Sequence, residues 1–220
     1  MSSPLSDGIG LVQMIECMGS DLTVVNSARV SFGKESYEMC EKDEKLIKYL
    51  AKHHHTSPFF HPQVQFRLRM PIWVAREWFR HTVGFARNEI SRRYVDDAPA
   101  YYLPTSLRAR DANLKQGSKE EPTVHNAEAV AVIEEVTGLC DAAYKKLLSL
   151  DVAPELARII LPQSMYTEFI ETGSLSAYAR LCGLRTAPNA QKEIQLYAEA
   201  VSTELQKLFP VSWAALVCEP

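Results

Sequence analysis

The stretch QVQFRLRM, residues 63–70, alternates without a fault. Val64, Phe66, Leu68 and Met70 fall on one face, and Gln63, Gln65, Arg67 and Arg69 on the other. Successive side chains of a strand point to opposite faces, so this period of two specifies a strand with one buried side and one wet side. Pro71 ends it, because proline brings no amide hydrogen to a ladder and its fixed φ suits the first turn of a helix. Ile72 to His81 then runs without a breaker and is predicted helical. A half-buried strand feeding directly into a helix commits the chain to a mixed fold.

The remaining periodicities fill that fold in. Leu11 to Gly19 reads as a strand. Asp43 to His55 reads as a helix through Leu46, Ile47, Leu50 and Ala51, broken by the prolines of TSPFFHP. Asp97 to Asn126 is polar, carries three prolines and a Gly-Ser pair, and is predicted to be the longest loop. Glu128 to Leu148 is an amphipathic helix with a stripe of Ile133, Val136, Cys140, Ala143, Tyr144 and Leu147. A short helix over Pro154 to Ile160, one over Ser174 to Leu184 and one over Gln191 to Leu208 follow. The sum is an α+β fold, helix-rich, with a small central antiparallel sheet. At 220 residues and 46% hydrophobic composition, it is expected to form one domain over residues 1–220.

The predicted helix of residues 72–81 leads into FRHTVGFARNEISRRY, residues 79–94, where Arg80, His81, Arg87, Arg92 and Arg93 face a single acid, Glu89. Arginine offers planar, bidentate donors to a phosphate or a base, and serine, asparagine and backbone N–H groups can complete such a shell. A nucleic-acid arm and a solvated helix face have the same look. The net charge of −3 and a pI of about 6.1 argue against a polyanionic partner. Trp73, Trp78, Phe79 and Phe85 predict that the segment is substantially buried rather than a plain charged face. If the helix continues to His81, Arg76 and Arg80 share a face, as do Glu77 and His81. Arg158, Arg180 and Arg185 also stand among apolar neighbours. Each alone would be a structural ion pair; together with the run they point to a small phosphorylated planar ligand.

Other chemistries leave no signature. The five cysteines are scattered, with no C-x-x-C, which fits neither a disulfide framework nor zinc. His53, His54, His55 and His61 lack local carboxylate or thiol companions, so no metal is expected. Dinucleotide-fold, P-loop and serine-hydrolase motifs are absent. No apolar run reaches the length of a membrane span, and the first residues lack a signal-peptide pattern, so a cytoplasmic protein is expected.

The cationic run resembles the signature of the flavin-dependent thymidylate synthases, the ThyX family, in which R-H-R precedes N-E-x-S-x-R-Y. Here Arg80-His81-Thr82 stands at the start and Asn88-Glu89-Ile90-Ser91-Arg92-Arg93-Tyr94 at the end. The segments GSDLTVVNSARVSFGK, HTSPFFHPQVQFRLRMPIWVAREWFRH, ELARIILPQSMYTEF, TGSLSAYARLCGLR and AQKEIQLYA resemble family segments in the family's order. The resemblance implies a homotetramer with active sites at subunit interfaces, each holding FAD. It implies reductive C5-methylation of dUMP to dTMP with methylenetetrahydrofolate and NADPH as co-substrates. Carried over by position, Glu77, Arg80, Glu89, Ile90, Ser91, Arg92, Arg93, Arg158 and Arg185 are expected at the nucleotide. His55, Ser57, Arg80, His81, Thr82, Ser174, Arg180 and Asn189 are expected at flavin or folate. Arg185, Ser91 and Arg80 form the set nearest the reaction. Ser91 is assigned to binding, because nothing in the local sequence supplies a base for it.

Several positions depart from the family pattern. Thr82 stands where the signature has arginine, and one extra residue separates Arg80-His81 from Asn88-Glu89. Glu77 replaces a frequent glutamine, Phe60 a glutamate, Ser176 an arginine and Asn189 a histidine. The departures predict altered flavin binding, with Arg87 or Arg180 as replacement cations. They also keep two alternatives open: a UMP C5-methylase or uridylate hydroxymethylase for modified nucleosides, and a catalytically silent nucleotide-binding homologue.

Overall fold

The computed structural model describes residues 2–94, 97–112 and 117–217. The chain runs β1 (Leu11–Met18), α1 (Asp21–Arg29), α2 (Glu41–Lys52), β2 (Gln63–Pro71), α3 (Ile72–Trp78) and β3 (Phe85–Glu89). It continues through β4 (Arg108–Arg110), β5 (Ser118–Pro122), α4 (Asn126–Ser149), α5 (Pro154–Ala157), β6 (Tyr166–Ser174), α6 (Leu175–Arg185), α7 (Lys192–Leu208) and α8 (Pro210–Val217). A four-stranded sheet has the order β1-β2-β6-β3, antiparallel at every pairing, and β4 pairs with β5 separately. The helix-rich α+β architecture with a small antiparallel sheet is the expected one.

The alternation of β2 builds the core. Val64, Phe66, Leu68 and Met70 are buried, and across the ladder they meet Gly173, Glu171, Phe169 and Thr167 of β6. Helices α6 and α7 cover this face: Tyr178 packs edge-on against Phe66, and the Tyr197 hydroxyl donates to the Arg69 carbonyl at 2.7 Å. On the opposite face Arg67 and Arg69 converge on Glu168. Strand β6 is central yet left no alternating pattern, because its core-facing positions include a glutamate, Glu171, as its wet face does with Glu168.

Several expectations need correction. The helix expected to His81 stops at Trp78; the chain tightens, with His81 N–H donating to the Trp78 carbonyl, and Gly84 reverses it at a φ of +82°. Arg80 and His81 therefore leave the helix on a turn. The cationic run then passes through a strand, β3, which is short and lies at the sheet edge. The run is also less buried than its aromatics predict. Trp78 is in the core and Phe79 and Phe85 are half-buried, but Arg80, Thr82, Asn88, Glu89 and Ile90 are exposed. Rings turn inward from an edge while the polar positions between them turn out.

The loop expected over Asp97 to Asn126 holds the β4–β5 pair; its residues 113–116 lie outside the described residues. Two strands this short carry no readable period, and side chains hold them instead. Arg108 donates to the Ser118 hydroxyl at 2.7 Å and forks onto Glu193 of α7 at 2.8 and 3.0 Å. Burial works against the Glu193 charge, but these donors and Gln191 outweigh it and hold the carboxyl below its ordinary range. Helix α4 buries Thr137 and Tyr144, with Ile133, Cys140 and Leu147 half-covered; Val136 and Ala143 of the expected stripe are exposed, alongside Val132 and Leu139. Among the described residues, no helix is long and apolar enough to cross a membrane, and no group of three His, Cys, Asp or Glu could hold a metal.

Candidate active site

Most of the expected site residues fall in three clefts; Arg93, His81, Thr82 and Ser174 line none of the three, and Ser57 lines a neighbouring cavity. The first, about 670 Å³, opens beyond the end of β3 and is lined by Glu89, Ile90, Ser91, Arg92, Arg158 and residues of β6. Strand pairing places it: the Ile90 N–H donates to the Glu168 carbonyl at 2.9 Å, and the Thr167 hydroxyl donates to the Glu89 carboxylate at 2.5 Å. Past Ile90 the chain turns, with the Ser91 hydroxyl accepting the Arg93 N–H at 3.3 Å and Tyr94 N–H donating to the Ser91 carbonyl. Arg92 donates to the Asp97 carbonyl. Arg93 approaches Glu155 at 3.4 Å and lies over the Tyr94 ring. Arg158, expected at the nucleotide and among apolar neighbours that implied burial, is exposed and donates to the Glu155 carbonyl at 3.2 Å. Its apolar neighbours Leu156 and Ile159 are exposed too, so the hydrophobic context does not bury it here.

The second cleft, about 730 Å³, holds Glu77, Arg80, Arg185, Asn189 and Lys192, with Arg108 and Ser118 of the β4–β5 pair on its wall. Arg185 closes α6 and is held on three sides. Its Nε donates to His81 Nε2 at 3.0 Å, one terminal nitrogen to the Glu77 carboxylate at 3.3 Å and the other to the Glu77 carbonyl at 3.3 Å. Glu77 and His81, expected on one helical face, thus meet through Arg185. A guanidinium has further donors, so some remain for a ligand. His81 accepts at Nε2 and is therefore neutral there. Burial, followed by the charges of Arg185, Arg87, Arg80 and Arg180, brings its pKa down to about 4.

The third cleft, about 560 Å³, is lined by Lys52, His54, His55, Thr56, Ser176 and Arg180. A neighbouring cavity between α1 and α2 shares His55 and adds Ser57. Arg180 donates to the Ser176 hydroxyl at 3.0 Å and to the Val83 carbonyl at 2.8 Å, and lies over the Phe60 ring. Thr82 lies in the exposed turn that Arg180 holds by its neighbour. Ser174 is buried, and its hydroxyl caps α6 by accepting the Ala177 N–H at 3.2 Å. Arg87 lines none of the three clefts; it is paired inside with Glu171. Sequence reasoning missed Lys192, Arg108 and Thr167, which join the clefts only through tertiary contacts.

Similarity to known proteins fits this geometry. The family profile described as thymidylate synthase complementing protein matches residues 13–211. A flavin-dependent thymidylate synthase of Thermus thermophilus is 38% identical over 98% of this chain and 79% of its own length. One of Kosmotoga olearia is 39% identical over 94% and 90%. The chain belongs to the flavin-dependent thymidylate synthase family. Membership makes it a methyltransferase and implies FAD. A crystal structure of a UMP/dUMP methylase, PolB from Streptomyces cacaoi, bound with 5-Br dUMP superposes with a TM-score of 0.84 at 31% identity, covering 95% of each chain. The same methylase bound with 5-Br UMP gives 0.81 at 30% identity, over 95% of this chain and 94% of the other.

Proposed function

We propose that this enzyme methylates dUMP at C5 to give dTMP, taking carbon from methylenetetrahydrofolate and reducing equivalents from NADPH. The observation that carries the reading is the division of labour between the first two clefts. One offers a turn with backbone N–H groups, Ser91, Arg92 and Arg93; the other presents a braced arginine, Arg185. Together they make the two halves of a nucleotide site. The turn would take the phosphate, with Arg158 beside it. Arg185 would lie against the uracil, where its charge stabilises the ring as C5 becomes nucleophilic. Glu77 and His81 keep it aimed, and neutral His81 retains an Nδ1 proton to donate. Glu89 would position the nucleotide from its bond with Thr167, and Arg80 would border nucleotide and flavin.

The cation-rich third cleft fits a flavin dinucleotide by the chemistry of its donors: Lys52, His55 and Arg180 suit a pyrophosphate, and Ser57 extends the surface. The flavin, once reduced by NADPH, would pass on the two electrons that turn a methylene carbon into a methyl group. Thr82 and Ser176 withdraw two cations expected there, and Arg180 is the replacement, since Arg87 is occupied by Glu171.

The first two clefts share no lining residue. We therefore assign the complete site to an interface, with the turn of one subunit meeting Arg185 of another in a homotetramer. Supporting this are the exposed Val132, Val136 and Leu139 on α4 and the 83% exposed Ile159 beside Arg158. A subunit-mixing experiment tests the assignment. Arg185→Ala and Arg93→Ala proteins, each inactive alone, should regain activity when unfolded and reassembled together. Persistent inactivity of a verified mixed assembly refutes it. UMP is the second reading, motivated by the methylase structures with both brominated nucleotides. The enzyme, FAD, NADPH and methylenetetrahydrofolate offered dUMP and UMP side by side, with products identified by mass, separates the two.

A further inference from the structure

The core contains a charged group that the proposed reaction does not use. Glu171 lies in the middle of β6 on its core-facing side, opposite Phe66 of β2, and its exposure is 0%. A carboxylate there is costly unless donors surround it. The Trp78 indole N–H reaches its two oxygens at 3.1 and 3.2 Å. Arg87, its direct cross-strand partner on β3, donates from Nε. The Arg87 guanidinium lies over the Phe79 and Phe85 rings, 5.3 and 4.8 Å from their centroids, and one of its terminal nitrogens is buried without a partner.

These partners are not scattered. Trp78 ends α3 and is followed two residues later by Arg80. Arg87 lies on the strand that delivers Glu89 to Arg93. The segment between them is sewn to α6: the Ser174 N–H at its N-cap donates to the Gly84 carbonyl at 3.1 Å, and Arg180 in its middle holds the Val83 carbonyl. One carboxylate thus fixes both ends of the turn that separates the flavin-side residues from the nucleotide cradle.

We propose that Glu171 is a positioning residue that sets the relation between the Arg80-His81 turn and the Glu89–Arg93 cradle through Trp78 and Arg87. The proposal rests on assigning those two segments to one reaction. Neutralising Glu171 leaves the Arg87 cation buried without its counter-charge, so the strand must shift to rehydrate it, and the cradle shifts with it. Removing both charges avoids that cost.

The test uses the FAD-loaded protein and compares Glu171→Gln, Arg87→Met, the double variant and Trp78→Phe. The readouts are KM for dUMP, kcat, FAD affinity by flavin fluorescence, and melting temperature. Glu171→Gln should raise KM for dUMP about tenfold, the scale expected of residues sharing a polar network, and weaken FAD binding. The double variant should lie closer to wild type than Glu171→Gln does, and Trp78→Phe should shift KM in the same direction by a smaller factor. A lower melting temperature with KM and FAD affinity within twofold of wild type overturns the proposal, as does a double variant no better than the single one. If Glu171→Gln does not fold, Trp78→Phe decides by the same criteria. If the wild type yields no methylated dUMP, the proposed function fails, and FAD affinity across the variants still decides the role of Glu171.

Discussion

The two clefts assigned to the nucleotide are built by opposite means. The Arg185 cleft is braced before any ligand arrives: the guanidinium is held by a carboxylate, a carbonyl and an imidazole, all from the five residues Glu77 to His81. The Ser91 cleft is a turn at the end of an edge strand, and its Arg93 is half-exposed against an equally exposed Glu155. Such a surface pair contributes little. A cation that must sit accurately against a changing ring gains from being fixed in advance. A phosphate, with several equivalent oxygens, can gather mobile donors around itself.

The sharpest way to break this contrast is Arg185→Ala. It should lower turnover by about two to three orders of magnitude, the range seen when one preorganised transition-state donor is lost, while circular dichroism and quaternary state stay unchanged. Activity near the wild-type level would remove Arg185 from its role. Next in size is Arg93→Lys, which keeps charge but loses the planar fork. KM for dUMP should rise about tenfold with kcat nearly unchanged, consistent with the worth of a charged hydrogen bond. A kcat loss of the same size would mean that the cradle also acts in the transition state. The smallest expected effect concerns pH. The folded pKa of His81 lies below its ordinary value, so the unfolded chain binds the extra proton first. Its contribution to stability is present above about pH 6.5 and is lost as pH falls toward about 4. Nitrogen chemical shifts of labelled His81 should therefore show a neutral ring at pH 5.5; a charged ring there would mean that Arg185 is not its donor.

How much of this was legible beforehand varied with what each element must hide. Strand β2 announced itself because four apolar side chains share one face and four polar ones the other. Strand β6 did not, since Glu171 occupies a core position that only a cross-strand arginine and a tryptophan N–H make tolerable. Strand β3 was concealed by its own charges. The link between Glu77 and His81 was visible as a helical spacing, although the helix stops short and Arg185 makes the connection. Arg158 illustrates the reverse: apolar neighbours implied burial, yet those neighbours face outward in the isolated chain. The division of site residues between two clefts was invisible at sequence level, because adjacency in a motif says nothing about which wall each residue joins.

Gly84 carries a consequence for how such an enzyme diversifies. A methyl group there would lie 3.0 Å from the Ala177 side chain and 3.1 Å from the Ser174 hydroxyl, on a backbone already left-handed. Its neighbours Thr82 and Val83 are exposed and make their contacts largely through carbonyls. Side chains at 82 and 83 can thus change with little disturbance to the turn, provided that position 84 stays without one.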